Sequence, residues 1–230
     1  MKWRSLVESI PGTETRSLRE QFAERKEMIA KYVPEAVQAV HARVIAGLKA
    51  GKLAERSLGI GAAMSGWELE DQNSNMFSSA AALATGPLVM CFFRGRWDPF
   101  CCGQMEAMNE VADEIRKGAG RLVALSPQTV HQAFLMADQH KLRFPLLRDA
   151  GNQVARGFGL NYRVPEEQLA IYRRSFINLP FVNGEASWEL PIPATFVIRQ
   201  DGAIAYAFAD EDPSVRPEPH AIVAALGSAG

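Results

Sequence analysis

The sequence predicts an α/β fold: a mixed β-sheet with helices on both faces over residues 59–230, preceded by a helical extension over residues 1–58. Three observations predict it. In the middle of the chain short apolar runs alternate with amphipathic stretches, and strand–helix–strand pieces imply parallel pairing with right-handed crossovers. Near the C-terminus Gln200-Asp201-Gly202 separates two further apolar runs, a tight-turn signal that implies an antiparallel pair. In the first quarter of the chain apolar residues recur at three- and four-residue spacing, as on one face of a helix.

Taken in order, Phe22, Met28, Ile29, Tyr32 and Val33, then Val37, Val40, Val44, Ile45 and Leu48, place apolar stripes on helix from about Leu18 to Leu53. Pro34 removes a donor and clashes with the preceding turn, so it divides this stretch into two helices. Gly51 suits the end of the second. Such a hairpin can pack on the main domain, serve as a dimerisation element, or do both. Gly59 to Gly86, rich in Gly, Ser, Asn and Ala, reads as a connection holding at most a short hairpin. Leu88–Phe93 is a continuous apolar run that suits a buried central strand. Pro99–Lys117 is an amphipathic helix with Met105, Met108, Val111, Ala112 and Ile115 on one face, ended by Gly118 and Gly120. Arg121–Ser126 is a second buried strand. Pro127 to about Lys141 reads as the next helix, with Pro127 in its first turn. Phe144–Leu147 is extended, and Asn152–Phe158 is a short helix. Tyr162–Pro191 reads as an irregular insertion with a helix over Glu166–Arg174. Ala194–Ile198 and Ile204–Phe208 are the two strands of the hairpin, and Glu218–Leu226 is a closing helix.

Composition bounds the function. The 230 residues are 47% hydrophobic and 22% charged, ordinary for a globular chain, and long enough for a sizeable core. The formal charge of -1 offers no basic field for nucleic acid or an anionic membrane. No segment approaches the roughly 18 consecutive apolar residues of a membrane helix. Glu8 and Pro11 interrupt Met1–Gly12 too early for a secretory signal, so a cytoplasmic location is the default expectation. Three cysteines, Cys91, Cys101 and Cys102, are too few for a disulfide framework. His41, His131, His140 and His220 form no metal-ligand spacing and read as surface or helix-face residues. With no phosphate-cradling glycine loop either, no metal and no cofactor is expected.

The chemistry is expected where the first central strand leads into the first long helix, at Phe92-Phe93-Arg94-Gly95-Arg96-Trp97-Asp98-Pro99-Phe100-Cys101-Cys102. A side chain at that junction meets unpaired backbone N–H groups and the positive end of the helix, a setting that lowers a thiol's pKa. This stretch resembles the alkyl hydroperoxide reductase / thiol-specific antioxidant family of peroxiredoxin-like proteins, in the branch with an Arg-Gly-x-Trp-Cys-Pro-x-Cys site. Leu125-Ser126-Pro127-Gln128-Thr129, Phe144–Asp149, Gly151–Ala155 and Trp188–Phe196 resemble further parts of that branch in the same order. The resemblance covers about Gly59 to Leu226 and implies a thioredoxin-like fold. It aligns the family's peroxidatic cysteine with Asp98 and its second cysteine with Cys101. It points to Arg94, Trp97, Pro99 and Pro193 as residues lining the substrate side, and implies a cis peptide bond before Pro193. Many relatives carry a threonine where this chain has Gly95. The resemblance also implies a small peroxide or disulfide substrate, a thiol reductant and association into a homodimer.

Asp98 changes the expectation. A cysteine thiolate attacks the peroxide O–O bond and becomes a sulfenic acid; a carboxylate has no such reversible oxidation. Asp98 can nevertheless keep the local structure, because Asp is a strong N-cap worth about 1 kcal/mol and Pro99 is preorganised for the first helical turn. The function expected is a thiol-dependent oxidoreductase by family, with peroxidatic activity weakened or lost. A peroxidatic role relocated to Cys101 or Cys102 is a competing reading. So is a sporadic substitution in an otherwise active enzyme, and so is a non-catalytic binding or regulatory protein that uses the former active-site face. Cys91, inside the apolar strand, reads as an inert core residue. Trp97 and Phe100 either wall a small apolar pocket or pack under the helix.

Overall fold

A computed structural model describes residues 16–227. Met1–Gly12, on which the expectation about a secretory signal rests, lies outside them. Two helices come first, α1 (Leu18–Tyr32) and α2 (Glu35–Ala50), divided at Pro34. Ser17 caps α1 in a reciprocal box with Glu20, and Gly51 closes α2. A hairpin of β1 (Glu68–Glu70) and β2 (Met76–Ser78) and the short helix α3 (Ser79–Leu83) lead into the main sheet.

That sheet is built from β3 (Leu88–Phe92), β4 (Arg121–Ser126), β5 (Leu146–Arg148), β8 (Ala194–Ile198) and β9 (Ile204–Ala209), in the order β5-β4-β3-β8-β9. The first three run parallel, linked by α4 (Pro99–Lys117) and α5 (Val130–His140); β8 and β9 add antiparallel. β3 lies at the centre and is buried along its whole length. Its two sets of alternate residues face different cores, as strand geometry requires. Val89, Cys91 and Phe93 pack against α4, α5 and the C-terminal helix α9 (Pro219–Gly227). Leu88, Met90 and Phe92 pack on the other face, under α6 (Gln153–Gly157), α7 (Glu166–Arg174) and α8 (Leu179–Asn183). Phe92, Phe158 and Phe196 form an aromatic knot there, with ring centroids 4.8–5.9 Å apart.

Three expectations need correcting. The α5 helix starts at Val130, not at Pro127: Thr129 is its N-cap, accepting from the Gln132 N–H, so Pro127 precedes the helix. Residues 162–191 hold the expected helix over Glu166–Arg174 but are more ordered than expected. β6 (Asn161–Arg163) and β7 (Glu189–Pro191) pair antiparallel across the α7–α8 excursion, a long-range ladder that local pattern does not encode. The Ile192–Pro193 peptide bond is trans, since the described residues hold no cis bond. Pro193 runs directly from β7 into β8, with the Ile192 N–H donating to Leu160 O and Pro193 O accepting from the Asp210 N–H.

The first helices are fastened to the core at two places. Phe22 of α1 is buried edge-on against Phe100 of α4, ring centroids 5.1 Å apart, and the Arg25 guanidinium donates to Pro99 O at 2.8 Å. Glu218, ahead of α9, accepts from the Leu18 and Arg19 N–H groups at 2.9 Å, so it supplies a carboxylate at the start of α1 from 200 residues away.

Candidate functional site

The end of β3 and the first turn of α4 bring Arg94, Asp98 and Cys101 together in the interior. Gly95 makes the turn with φ +145°, a conformation reserved in practice for glycine, and a Cβ there would lie 2.7 Å from Trp97 Nε1. Asp98 is the N-cap of α4: its Oδ1 accepts from the Phe100 N–H at 3.1 Å, and Pro99 follows at the first helical position. Its Oδ2 accepts from Arg94 Nε at 2.9 Å and Nη2 at 2.8 Å, and from the Cys101 thiol at 2.7 Å.

This carboxylate is only 1% exposed and Arg94 8%, so the pair is a buried one and not the surface bridge that i, i+4 spacing alone suggests. Burial pushes the Asp98 carboxyl upward, but the charges of Arg94 and Arg216 and the hydrogen bonds outweigh it and hold the group below its ordinary value. The Cys101 thiol is pushed up to about 12, first by burial and then by the neighbouring carboxylate. The helix end that lowers a thiol's pKa elsewhere is here occupied by Asp98.

Residues from distant segments complete the site. Arg216, from the loop between β9 and α9, donates to Gln104 Oε1 at 2.7 Å and reaches the Cys101 sulfur at 3.8 Å. Gln104 in turn donates to Thr195 Oγ1 of β8 at 3.3 Å. On the opposite side Trp97 lies under the Arg94 guanidinium, 5.2 Å from ring centroid to Cζ, and packs on Tyr172 of α7 at 5.1 Å. His41 of α2 exchanges a hydrogen bond with Gln168 at 3.1 Å, and its pKa is lowered, first by burial and then by Arg94. His41 is therefore part of this surround and not a plain surface histidine; the side chain of His140 is also buried, bonded to Glu106 at 2.6 Å. Arg216, Tyr172 and His41 escaped sequence reasoning. Tyr172 and His41 do lie on inward faces of helices, and that was the signal available.

The side chains of the remaining candidates make no bond to the Asp98 carboxylate. Cys102 is half-buried, one step round α4, with its thiol donating to Arg96 O at 3.2 Å. Arg96 is held by the Gln128 and Gln132 side chains. Cys91 is buried, its thiol pushed up to about 12 by burial. Phe100 packs under α1, whereas Trp97 lines a depression of about 250 Å³ beside the site. Pro193 immediately precedes Ala194, which pairs with Phe92, so it lies at the same end of the sheet as the β3 exit. Among the described residues no helix is long and apolar enough to cross a membrane.

Comparison with known proteins agrees with this architecture. The sequence profile of the AhpC/TSA family matches residues 60–207. A protein of Mycobacterium tuberculosis named as a peroxiredoxin is 25% identical over 111 residues, covering 48% of this chain and 72% of that one. Among solved structures, the peroxidoxin BcpB of Mycobacterium tuberculosis superposes with a TM-score of 0.59 at 20% identity, covering 74% of this chain and 97% of its own. Peroxiredoxin Q of Xanthomonas campestris gives a TM-score of 0.55 at 18% identity over 70% of this chain and 90% of its own. AhpC of Enterococcus faecalis gives 0.57 at 15% identity, over 74% and 90%. At such identities the structural likeness speaks for the fold, a mixed sheet flanked by helices as in thioredoxin-fold proteins.

Proposed function

Because the chain belongs to the AhpC/TSA family, we propose that it is a peroxiredoxin-like protein in which Asp98 fills the position of the peroxidatic cysteine and peroxide reduction is weakened or lost. The observation that carries this is the buried Arg94–Asp98–Cys101 cluster at the mouth of α4. Peroxide reduction by a thiolate transfers one oxygen: the O–O bond breaks, sulfur becomes a sulfenic acid, and the alkoxide leaves with a proton as alcohol or water. A thiol reductant then returns the sulfur to thiol. Asp98 has no atom able to accept that oxygen reversibly. Cys101 is a poor substitute, because burial and the Asp98 carboxylate push its thiol up to about 12 and so hold it protonated, and its sulfur is fully buried.

The surroundings support the same reading from the other side. Arg94, Arg216 and the α4 N-terminus form a setting for one negative charge. In relatives that charge belongs to a thiolate; in this chain it belongs to a carboxylate that keeps the helix end capped. A second reading, a binding role for the same face, is favoured by the exposed aromatic groove beside Trp97.

The test is peroxide consumption with dithiothreitol as reductant, measured for the parent, for Asp98→Cys and for Cys101→Ser/Cys102→Ser. Turnover appearing only in Asp98→Cys is the expected result. Turnover by the parent that vanishes in the double variant overturns the proposal and assigns the chemistry to the remaining thiols.

A further inference from the structure

Two depressions of about 430 and 250 Å³ share a wall formed by Phe176, Ile177 and Asn178. Trp188 stands on the larger one, and Trp97 and Phe181 on the smaller. Phe176 is 96% exposed and Phe181 69% exposed, an arrangement that costs solubility unless something covers it. Phe176 and Trp188, both on this groove, hold φ of 59° and 56°, a left-handed conformation that bulky side chains avoid and that structures retain chiefly at functional surfaces. Among the described residues, the charged side chains lining the two depressions are Arg96 and Arg173. Gln132 steadies Arg96 through a 2.5 Å hydrogen bond. Arg173 lies over the Trp188 ring, 5.1 Å from centroid to Cζ. Its bond to Glu166 is between two exposed side chains and is readily exchanged.

We propose that this groove docks a partner protein through a segment that carries an aromatic side chain beside acidic residues. The aromatic side chain fills the larger depression against Phe176 and Trp188, and the acidic residues meet Arg96 and Arg173. Phenylalanine, tryptophan and arginine are the residue types that dominate the energetics of protein interfaces. A shallow groove with its aromatics standing proud also suits a peptide segment better than a small ligand, which would leave Phe176 or Phe181 in water. The proposal rests on the binding reading of the Trp97 face; the Asp98→Cys assay decides the peroxidase reading separately.

A random-peptide display pool selected on the full-length protein, and counter-selected on its Phe176→Ser variant, tests it. The enriched peptides are expected to place Asp or Glu next to Phe, Tyr or Trp. One of them, synthesised with a fluorophore, is then titrated by anisotropy. Phe176→Ser and Arg173→Glu should each weaken binding about tenfold, Phe176→Ser while leaving the thermal midpoint unchanged, and added salt should weaken binding further. Enrichment of basic peptides, no enrichment over the Phe176→Ser protein, or equal affinity in Arg173→Glu overturns the proposal. So does a homodimer, seen by sedimentation of the parent, that Phe176→Ser dissociates, because the occupant is then a second copy of this chain.

Discussion

Replacing Asp98 by asparagine removes one charge and almost no volume, and isolates what the carboxylate contributes. Asparagine caps helices about as well as aspartate, so the bond from the Phe100 N–H survives. The 2.9 and 2.8 Å contacts from Arg94 lose their countercharge, and Arg94 is only 8% exposed. Breaking a buried pair by removing one partner costs about 3–5 kcal/mol, a large share of the roughly 5–15 kcal/mol that holds a domain folded. Urea unfolding at pH 7 should therefore show Asp98→Asn losing about 3–5 kcal/mol with an unchanged slope. Adding Arg94→Met should restore much of it, because no buried guanidinium is then left without a countercharge. The pH dependence has a definite sign. The folded-state carboxyl lies below its ordinary value of 3.8, so its stabilisation is complete above that value and is lost as pH falls through the lower folded value. The gap between parent and Asp98→Asn should be constant near neutrality and close in strongly acidic solution. A loss below about 1 kcal/mol at pH 7 would refute the buried-pair argument, since that is the worth of a surface bridge. A gap that persists unchanged into acid would refute it equally.

Other outcomes follow from neighbouring residues. Iodoacetamide at neutral pH, read by mass spectrometry, should modify Cys102 before Cys91 and Cys101, and all three only after denaturation; modification of Cys101 as fast as Cys102 would contradict its burial. Phe22→Ala removes a ring that is 2% exposed and packed on Phe100, and should cost about 3–5 kcal/mol by urea unfolding and open the α1–α2 connection at Pro34 to protease. Gly95→Ala forces an unfavourable φ and a 2.7 Å approach to Trp97, and should lower stability by about 1–3 kcal/mol while shifting tryptophan fluorescence; an unperturbed spectrum would show that the turn can relax.

Local pattern carried much of the architecture. The continuous apolar run of β3, the amphipathic stripe of α4 and the Asp201-Gly202 turn were readable because each rests on residues adjacent in sequence. Asp98-Pro99 was readable as a helix start for the same reason, and capping proved to be what its Oδ1 does. The β6–β7 ladder was not readable, because its partners stand 28 residues apart around α7 and α8 and neither strand is long enough to announce itself.

The sequence by itself determined the order of the main sheet's strands and of α4, α5 and α9 between and after them, the break at Pro34 and the placement of an aspartate at the start of α4, since backbone stereochemistry and side-chain periodicity act over a few residues. Only the tertiary structure decided that this aspartate is sealed from water, that Arg94 pairs with it in the interior, and that Arg216, Tyr172 and His41 arrive from three other segments to enclose it. The physical reason is desolvation. An i, i+4 Arg–Asp spacing is the same on a surface or in a core, and its charge state and energetic weight depend on which distant side chains displace the water around it.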